Sequence, residues 1–135
     1  MRTLGIHHLG LAVADLDAAV ERYTRLVGAQ VESTEELLDQ GVHAASLRVG
    51  ASRVELMAPL SDDSPVGRFL ARRGPGMHHV AYAVPDIRAA LGDLRSVGVT
   101  LIDDEPRHGL YGDVAFVHFE SFDGVLTELV ETPSA

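Results

Sequence analysis

Two histidine pairs and two glutamates carry most of the chemistry that this sequence can offer. Ile6-His7-His8-Leu9-Gly10-Leu11-Ala12-Val13-Ala14-Asp15 is echoed by Met77-His78-His79-Val80-Ala81-Tyr82-Ala83-Val84-Pro85-Asp86, at a constant offset of 71 (78 − 7). Val54-Glu55-Leu56-Met57 is answered by Thr127-Glu128-Leu129-Val130, at an offset of 73 (128 − 55). Each half of the chain thus supplies one histidine pair and one glutamate. Both glutamates sit among Val, Leu and Met, where an unpaired buried carboxylate costs on the order of several kcal/mol unless a cation or hydrogen-bond donors neutralise it. A divalent metal held by one histidine and the glutamate of each half would satisfy both carboxylates; ion pairs with Arg48 or Arg53 are the plainer alternative. Two imidazoles and two carboxylates make a mixed N/O donor set suited to zinc, cobalt, nickel, manganese or iron, with positions left for water or substrate.

The elements that must position these groups follow from periodicity. Residues 6–13 read as a strand, Asp15 as a helix N-cap, and Leu16, Ala19, Val20, Tyr23, Leu26 and Val27 recur at helical spacing up to the stop at Gly28. Residues 29–36, 42–49 and 53–57 read as three further strands separated by Gly-containing turns. Ser64-Pro65 opens a short linker helix over 65–72, closed by Gly74-Pro75-Gly76. The order then repeats: strand 77–84, cap Asp86, helix 87–97, and strands near 99–102, 114–119 and 125–131. The expected fold is α+β, two βαβββ modules related by a pseudo-twofold and forming a curved, partly closed mixed sheet around a metal site. A single domain is expected over 1–135, with module 1 at about 4–60, the linker at about 61–75 and module 2 at about 76–133. Alternate side chains on a strand face opposite ways, so only one histidine of each pair reaches a given face. Ala12 and Ala83 give so little contrast that this parity stays open.

Composition narrows the classes. The chain of 135 residues is 46% hydrophobic and 23% charged, enough for a buried core. Zero cysteines remove disulfides, thiolate nucleophiles and cysteine-held metals, leaving nitrogen and oxygen ligands. A formal charge of −9 with scattered arginines opposes binding to nucleic acid. There is neither a long apolar run nor a signal-like N-terminus, so a cytoplasmic protein without membrane contact is expected.

The paired His-Glu βαβββ halves resemble the vicinal oxygen chelate superfamily (glyoxalase, bleomycin resistance protein, dioxygenase). Several stretches are similar to the methylmalonyl-CoA epimerases within it: His8-Leu9-Gly10-Leu11-Ala12-Val13, Glu55-Leu56-Met57-Ala58-Pro59-Leu60, Asp63-Ser64-Pro65 followed by Phe69-Leu70, Gly76-Met77-His78-His79-Val80-Ala81, and Gly124-Val125-Leu126-Thr127-Glu128-Leu129. The resemblance selects His8, Glu55, His79 and Glu128 as metal ligands, the second position being Gln in some members. The implied cofactor is one divalent ion, with cobalt the first expectation and zinc, manganese or nickel the alternatives. The implied reaction interconverts (2R)- and (2S)-methylmalonyl-CoA, or a close acyl-CoA, through a metal-stabilised enolate, and the implied assembly is a homodimer.

Epimerisation needs a base on each face of the enolate. Some epimerases carry a glutamate three residues beyond the Gln-Gly turn, where this chain has Ala44. His43 belongs to the other face and Ser46 is a poor base, so Glu55 and Glu128 are the expected catalytic bases. A usual His-Pro-Lys-Ser run appears as His118-Phe119-Glu120-Ser121, which removes a lysine expected near the acyl-CoA. Arg68, Arg72, Arg73 and Arg107 are candidates for CoA phosphates or else solvated surface groups. Tyr111 and His108 lie in a 106–113 loop that either covers the site or only connects. The rival readings are a glyoxalase I-like lactoylglutathione lyase, which resembles the same ligand pattern, and a non-catalytic small-molecule-binding protein of the same fold. An extradiol dioxygenase would leave Glu55 unexplained.

Overall fold

Helix α1 (Leu16–Val27) starts where the Asp15 side chain accepts the Ala18 N–H at 3.0 Å, and ends at Gly28, whose left-handed φ of 69° lets its N–H reach the Tyr23 carbonyl. Helix α3 (Ile87–Ser96) opens the same way, Asp86 accepting the Ala89 N–H at 3.0 Å. Helix α2 (Pro65–Arg73) between them is capped by Ser64, whose hydroxyl accepts the Gly67 N–H. The computed structural model describes residues 1–133; Ser134 and Ala135, the end of the domain expected over 1–135, lie outside the described residues. The chain divides into two compact units, His8–His78 and a second made of Met1–His7 with His79 onward.

The first unit contains β1 (Gly5–Ala12) from His8 on, α1, β2 (Gln30–Leu37), β3 (Val42–Val49), β4 (Ser52–Pro59) and α2. Its strands run in the order β2-β3-β4-β1, with β1 parallel to β4 and the other neighbours antiparallel. Leu16 and Ala19 of α1 pack on Ala45, Leu47, Leu56 and Ala58, which defines the helix-covered face of the sheet. Directly opposed residues share a face. The pairs Ala44↔Met57 and Ser46↔Glu55 therefore belong to the other face.

The second unit repeats the plan with β5 (Gly76–Val84) from His79 on, α3, β6 (Arg107–Gly109), β7 (Gly112–Val117) and β8 (Thr127–Glu131). The order is β5-β8-β7-β6, and β5 is parallel to β8 as β1 is to β4. Ile87, Ala90 and Leu91 pack on Val84, Ala115, Val117 and Leu129. Residues 1–7 group with this unit, where the Leu4 N–H donates to the Ala83 carbonyl at 2.8 Å. Both units have the expected βαβββ order, and the class is α+β.

Three expectations for the second unit need correction. The strand placed at 99–102 is only a single bridge, Leu101↔Val117. The ladder is cut off there because Ile102 and Asp103 both donate to the Phe116 carbonyl while the Asp103 carboxylate accepts the Phe116 N–H at 2.8 Å. The third strand is β6, so the supposed 106–113 loop is a hairpin with Leu110 and Tyr111 at its turn. Gly109 is required in it, because a Cβ there would lie 2.8 Å from Val114 Cγ1. Finally, β7 stops at Val117 and β8 starts at Thr127, because a 3-10 turn (Phe119–Phe122), with Asp123 at a φ of 55°, takes up the intervening chain.

Candidate metal centre

Register settles the parity that composition left open. In β1, Leu9 pairs with Val54 and Leu11 with Leu56, and these side chains join the α1 core; Gly10 pairs with Glu55. His8 therefore shares Glu55's face, away from the helix. In β5, Tyr82 pairs with Leu129 in the α3 core while Ala81 pairs with Glu128, which puts His79 on the face of Glu128. The missed signal was size rather than polarity: Leu9, Leu11 and Val13 alternate with Gly10 and Ala12, and Val80, Tyr82 and Val84 with Ala81 and Ala83. The large residues fill the helix interface, and the small ones leave room beside the histidine.

Within each unit the expected donors meet. His8 Nε2 lies 3.6 Å from Glu55 Oε1, and His79 Nε2 lies 3.6 Å from Glu128 Oε1. The four residues are 1%, 5%, 1% and 4% exposed in that order, so both pairs are held out of water. A separation of 3.6 Å is too long for a good hydrogen bond. It approaches the spacing of two donors that each stand about 2.0–2.2 Å from one cation. The donor set is nitrogen and oxygen only, it is buried, and it fits a borderline or hard divalent ion.

The remaining histidines have other work. His7 meets the Tyr111 ring edge-on at 4.5 Å between centroids, and His78 meets Phe69 at 5.0 Å, whereas the ligand-face His79 is steadied by Phe116 at 5.4 Å. The arginines offered as plainer partners for Glu55 are engaged by Glu32 instead. Arg53 Nε donates to Glu32 Oε1 at 3.0 Å, and Arg48 Nε stands 3.8 Å from Glu32 Oε2. Ser46, fully buried and directly across from Glu55, donates its hydroxyl to the same Glu32 Oε1 at 3.1 Å. Burial works against the charge on Glu32. Hydrogen bonds from Arg53 and Ser46, with the charges of Arg53 and Arg48, outweigh it and hold the carboxyl below the usual carboxylate range. Sequence reasoning missed Glu32 because the bulge between Val31 and Ser33 that carries it has no compositional mark.

The other candidates divide. Ala44 is wholly buried between Glu35 and Met57 in register, and His43 pairs with Ala58 on the helix side. Arg68, Arg72 and Arg73 are exposed, Arg68 bonding the Asp63 carbonyl and Arg73 lying over the Phe69 ring at 5.5 Å. Arg107 is not such a surface group: its side chain is 33% exposed, stands 3.5 Å from Asp103 and pairs with Val114 on the Glu128 face. Tyr111 packs on Ala81, Val114 and Val130 of that same face, while His108 is exposed.

The chain has clear relatives. A family model described as the glyoxalase/bleomycin resistance protein/dioxygenase superfamily matches residues 7–116. The mitochondrial methylmalonyl-CoA epimerase of Homo sapiens is 36% identical over 126 residues, covering 92% of this chain and 72% of that protein. The ethylmalonyl-CoA/methylmalonyl-CoA epimerase of Cereibacter sphaeroides is 35% identical, covering 92% and 95%. A solved methylmalonyl-CoA epimerase in complex with methylmalonyl-CoA and ammonium superposes with a TM-score of 0.93 at 41% identity, covering 97% and 96%.

Proposed function

The chain belongs to the glyoxalase/bleomycin resistance protein/dioxygenase superfamily, and from that premise we propose that it is a metal-dependent epimerase of methylmalonyl-CoA or a close acyl-CoA. The observation that carries this reading is the pair of buried His-Glu couples with equal 3.6 Å separations, in a chain 35–36% identical over nearly its whole length to epimerases of this substrate class. His8, Glu55, His79 and Glu128 are the residues that would hold the divalent ion; cobalt is the first candidate, with zinc, manganese or nickel as alternatives. A bound divalent ion supplies Lewis-acid polarisation of a carbonyl, which lowers the barrier to removing the proton beside it.

The chain's own groups do the rest. His8 and His79 hold their positions by burial, and Phe116 fixes the second ring. The carbon acid lies between a thioester and a carboxylate, so its anion is an enolate delocalised onto oxygen. Inversion requires proton removal on one face and return on the other. With Ala44 offering no carboxylate, Glu55 and Glu128 are the bases, each taking or returning the α-proton through a carboxylate oxygen. Glu32 is a poor candidate for this step, because its arginine partners hold it in the charged form. Tyr111 and the β6–β7 hairpin cover the apolar patch beside Glu128 and keep water from it. We place the enzyme in the cytoplasm as a homodimer. Among the described residues no helix is long and apolar enough to cross a membrane.

The absence of a carboxylate at Ala44 favours a second reading, isomerisation of a glutathione hemithioacetal, which needs the same ligands and a proton transfer between adjacent carbons. Deuterium exchange from solvent separates the two. Exchange into methylmalonyl-CoA that stops with chelation and returns with added metal is the expected result. Exchange only into the methylglyoxal-glutathione adduct, or exchange that survives complete metal removal, sinks the epimerase reading.

A further inference from the structure

We propose that Arg48 and Arg53 form an anion subsite that grips a carboxylate or phosphate oxyanion of the substrate; the inference rests on the acyl-thioester reading above. The two arginines are direct cross-strand partners on β3 and β4. They lie on the ligand face, because Arg53 is two residues from Glu55 and Arg48 is two residues from Ser46, the partner of Glu55. One same-face step along a strand is about 7 Å, so Arg48 and Arg53 branch from the backbone one step from the proposed metal ligand Glu55.

Like charges directly opposite across an antiparallel pair are unfavourable, and among the described residues one carboxylate, Glu32, stands against both. Two guanidiniums against one carboxylate leave one positive charge in excess, in a chain whose formal charge is −9. Glu32 engages each arginine through Nε. The four Nη hydrogens of each guanidinium, the fork that matches carboxylate and phosphate oxygens, are left to another acceptor. The cluster is also anchored. The Arg48, Arg53 and Glu32 side chains are 37%, 30% and 34% exposed, and the buried Ser46 hydroxyl ties Glu32 to the floor of the ligand face at 3.1 Å. Glu32 is thus a positioning residue, and the arginines are the binding groups.

A methylmalonyl thioester carries such an oxyanion twice, in its acyl carboxylate and in its CoA phosphates. The test compares metal-loaded wild type with Arg48→Met and Arg48→Lys on methylmalonyl-CoA and on the N-acetylcysteamine thioester of the same acid, which lacks phosphate. The expected result for Arg48→Met is a KM raised about tenfold, the loss of a charge-assisted hydrogen bond, with kcat and metal content within twofold of wild type. Arg48→Lys should recover part of the loss. A rise with both thioesters assigns the subsite to the carboxylate, and a rise with the CoA ester alone assigns it to phosphate. An unchanged KM for both thioesters overturns the inference. Calorimetric binding of methylmalonate and of desulfo-CoA to the same proteins decides the matter separately from turnover. If wild type turns over neither thioester, the epimerase reading fails, while a tenfold weaker or an unchanged affinity in Arg48→Met still supports or overturns the subsite.

Discussion

The two units place the same donors at the same 3.6 Å separation and surround them with different chemistry. Across the sheet from Glu55 stands Ser46, backed by Glu32, Arg53 and Arg48; across from Glu128 stands Phe116, followed along the same face by Val114 and Val130 with Tyr111 over them. Duplication has preserved a buried His-Glu couple in each unit, while the walls have diverged. The equal parts of the comparison bear on metal binding, and the unequal parts bear on recognition and proton transfer.

The largest effects should come from the equal parts. If the proposed ligand set is right, His8→Ala and His79→Ala should each lower epimerisation by about a hundredfold or more and abolish tight metal retention. Unequal losses, with the metal kept in one variant, would break the symmetry. Glu55→Gln and Glu128→Gln keep an oxygen donor but no basic carboxylate, and each should cost about a hundredfold in kcat if both glutamates move protons. A variant that keeps its activity is a ligand only, and measured exchange and racemisation rates in the two variants show which glutamate serves which face.

Stability should again treat the units alike. Leu47 and Leu91 are nearly fully buried under α1 and within the α3 core respectively, and Leu→Ala at either should cost about 2–5 kcal/mol in denaturant unfolding. The smallest effect belongs to the polar wall. Because the folded-state Glu32 carboxyl titrates below its ordinary range, its contribution is present above the unfolded pKa and fades as pH falls through the lower folded value. Glu32→Gln should therefore destabilise at neutral pH by less than about 1 kcal/mol, as expected for a part-exposed ion pair. The gap from wild type should close in acid, and thermal melts across pH 3–7 measure it. A gap that widens as pH falls would contradict the assignment.

Most of the fold could be read from the chain because helix caps, glycine stops and apolar periodicity are local signals, whereas the size alternation that fixes strand parity went unread. Asp15 and Asp86 cap where expected, Gly28 stops α1, and the four donors lie on the strands assigned to them. The errors cluster where side chains replace backbone pairing. Asp103 captures the Phe116 N–H and ends the ladder near Leu101, and β6, only three residues long, is too short for any periodicity to register. Glu32 was equally silent, since its reach to Ser46 and Arg53 depends on a bulge and on cross-strand register. Arg107 read like the other arginines until its anchorage by Asp103 set it apart.

The proposal that His8, Glu55, His79 and Glu128 would hold a single ion is tested most directly by metal stoichiometry. Purified protein saturated with cobalt or zinc and freed of loose ion should hold one ion per chain by elemental analysis, and His8→Ala and His79→Ala should each hold none. Two ions per chain, or one ion retained when either histidine is removed, would contradict it.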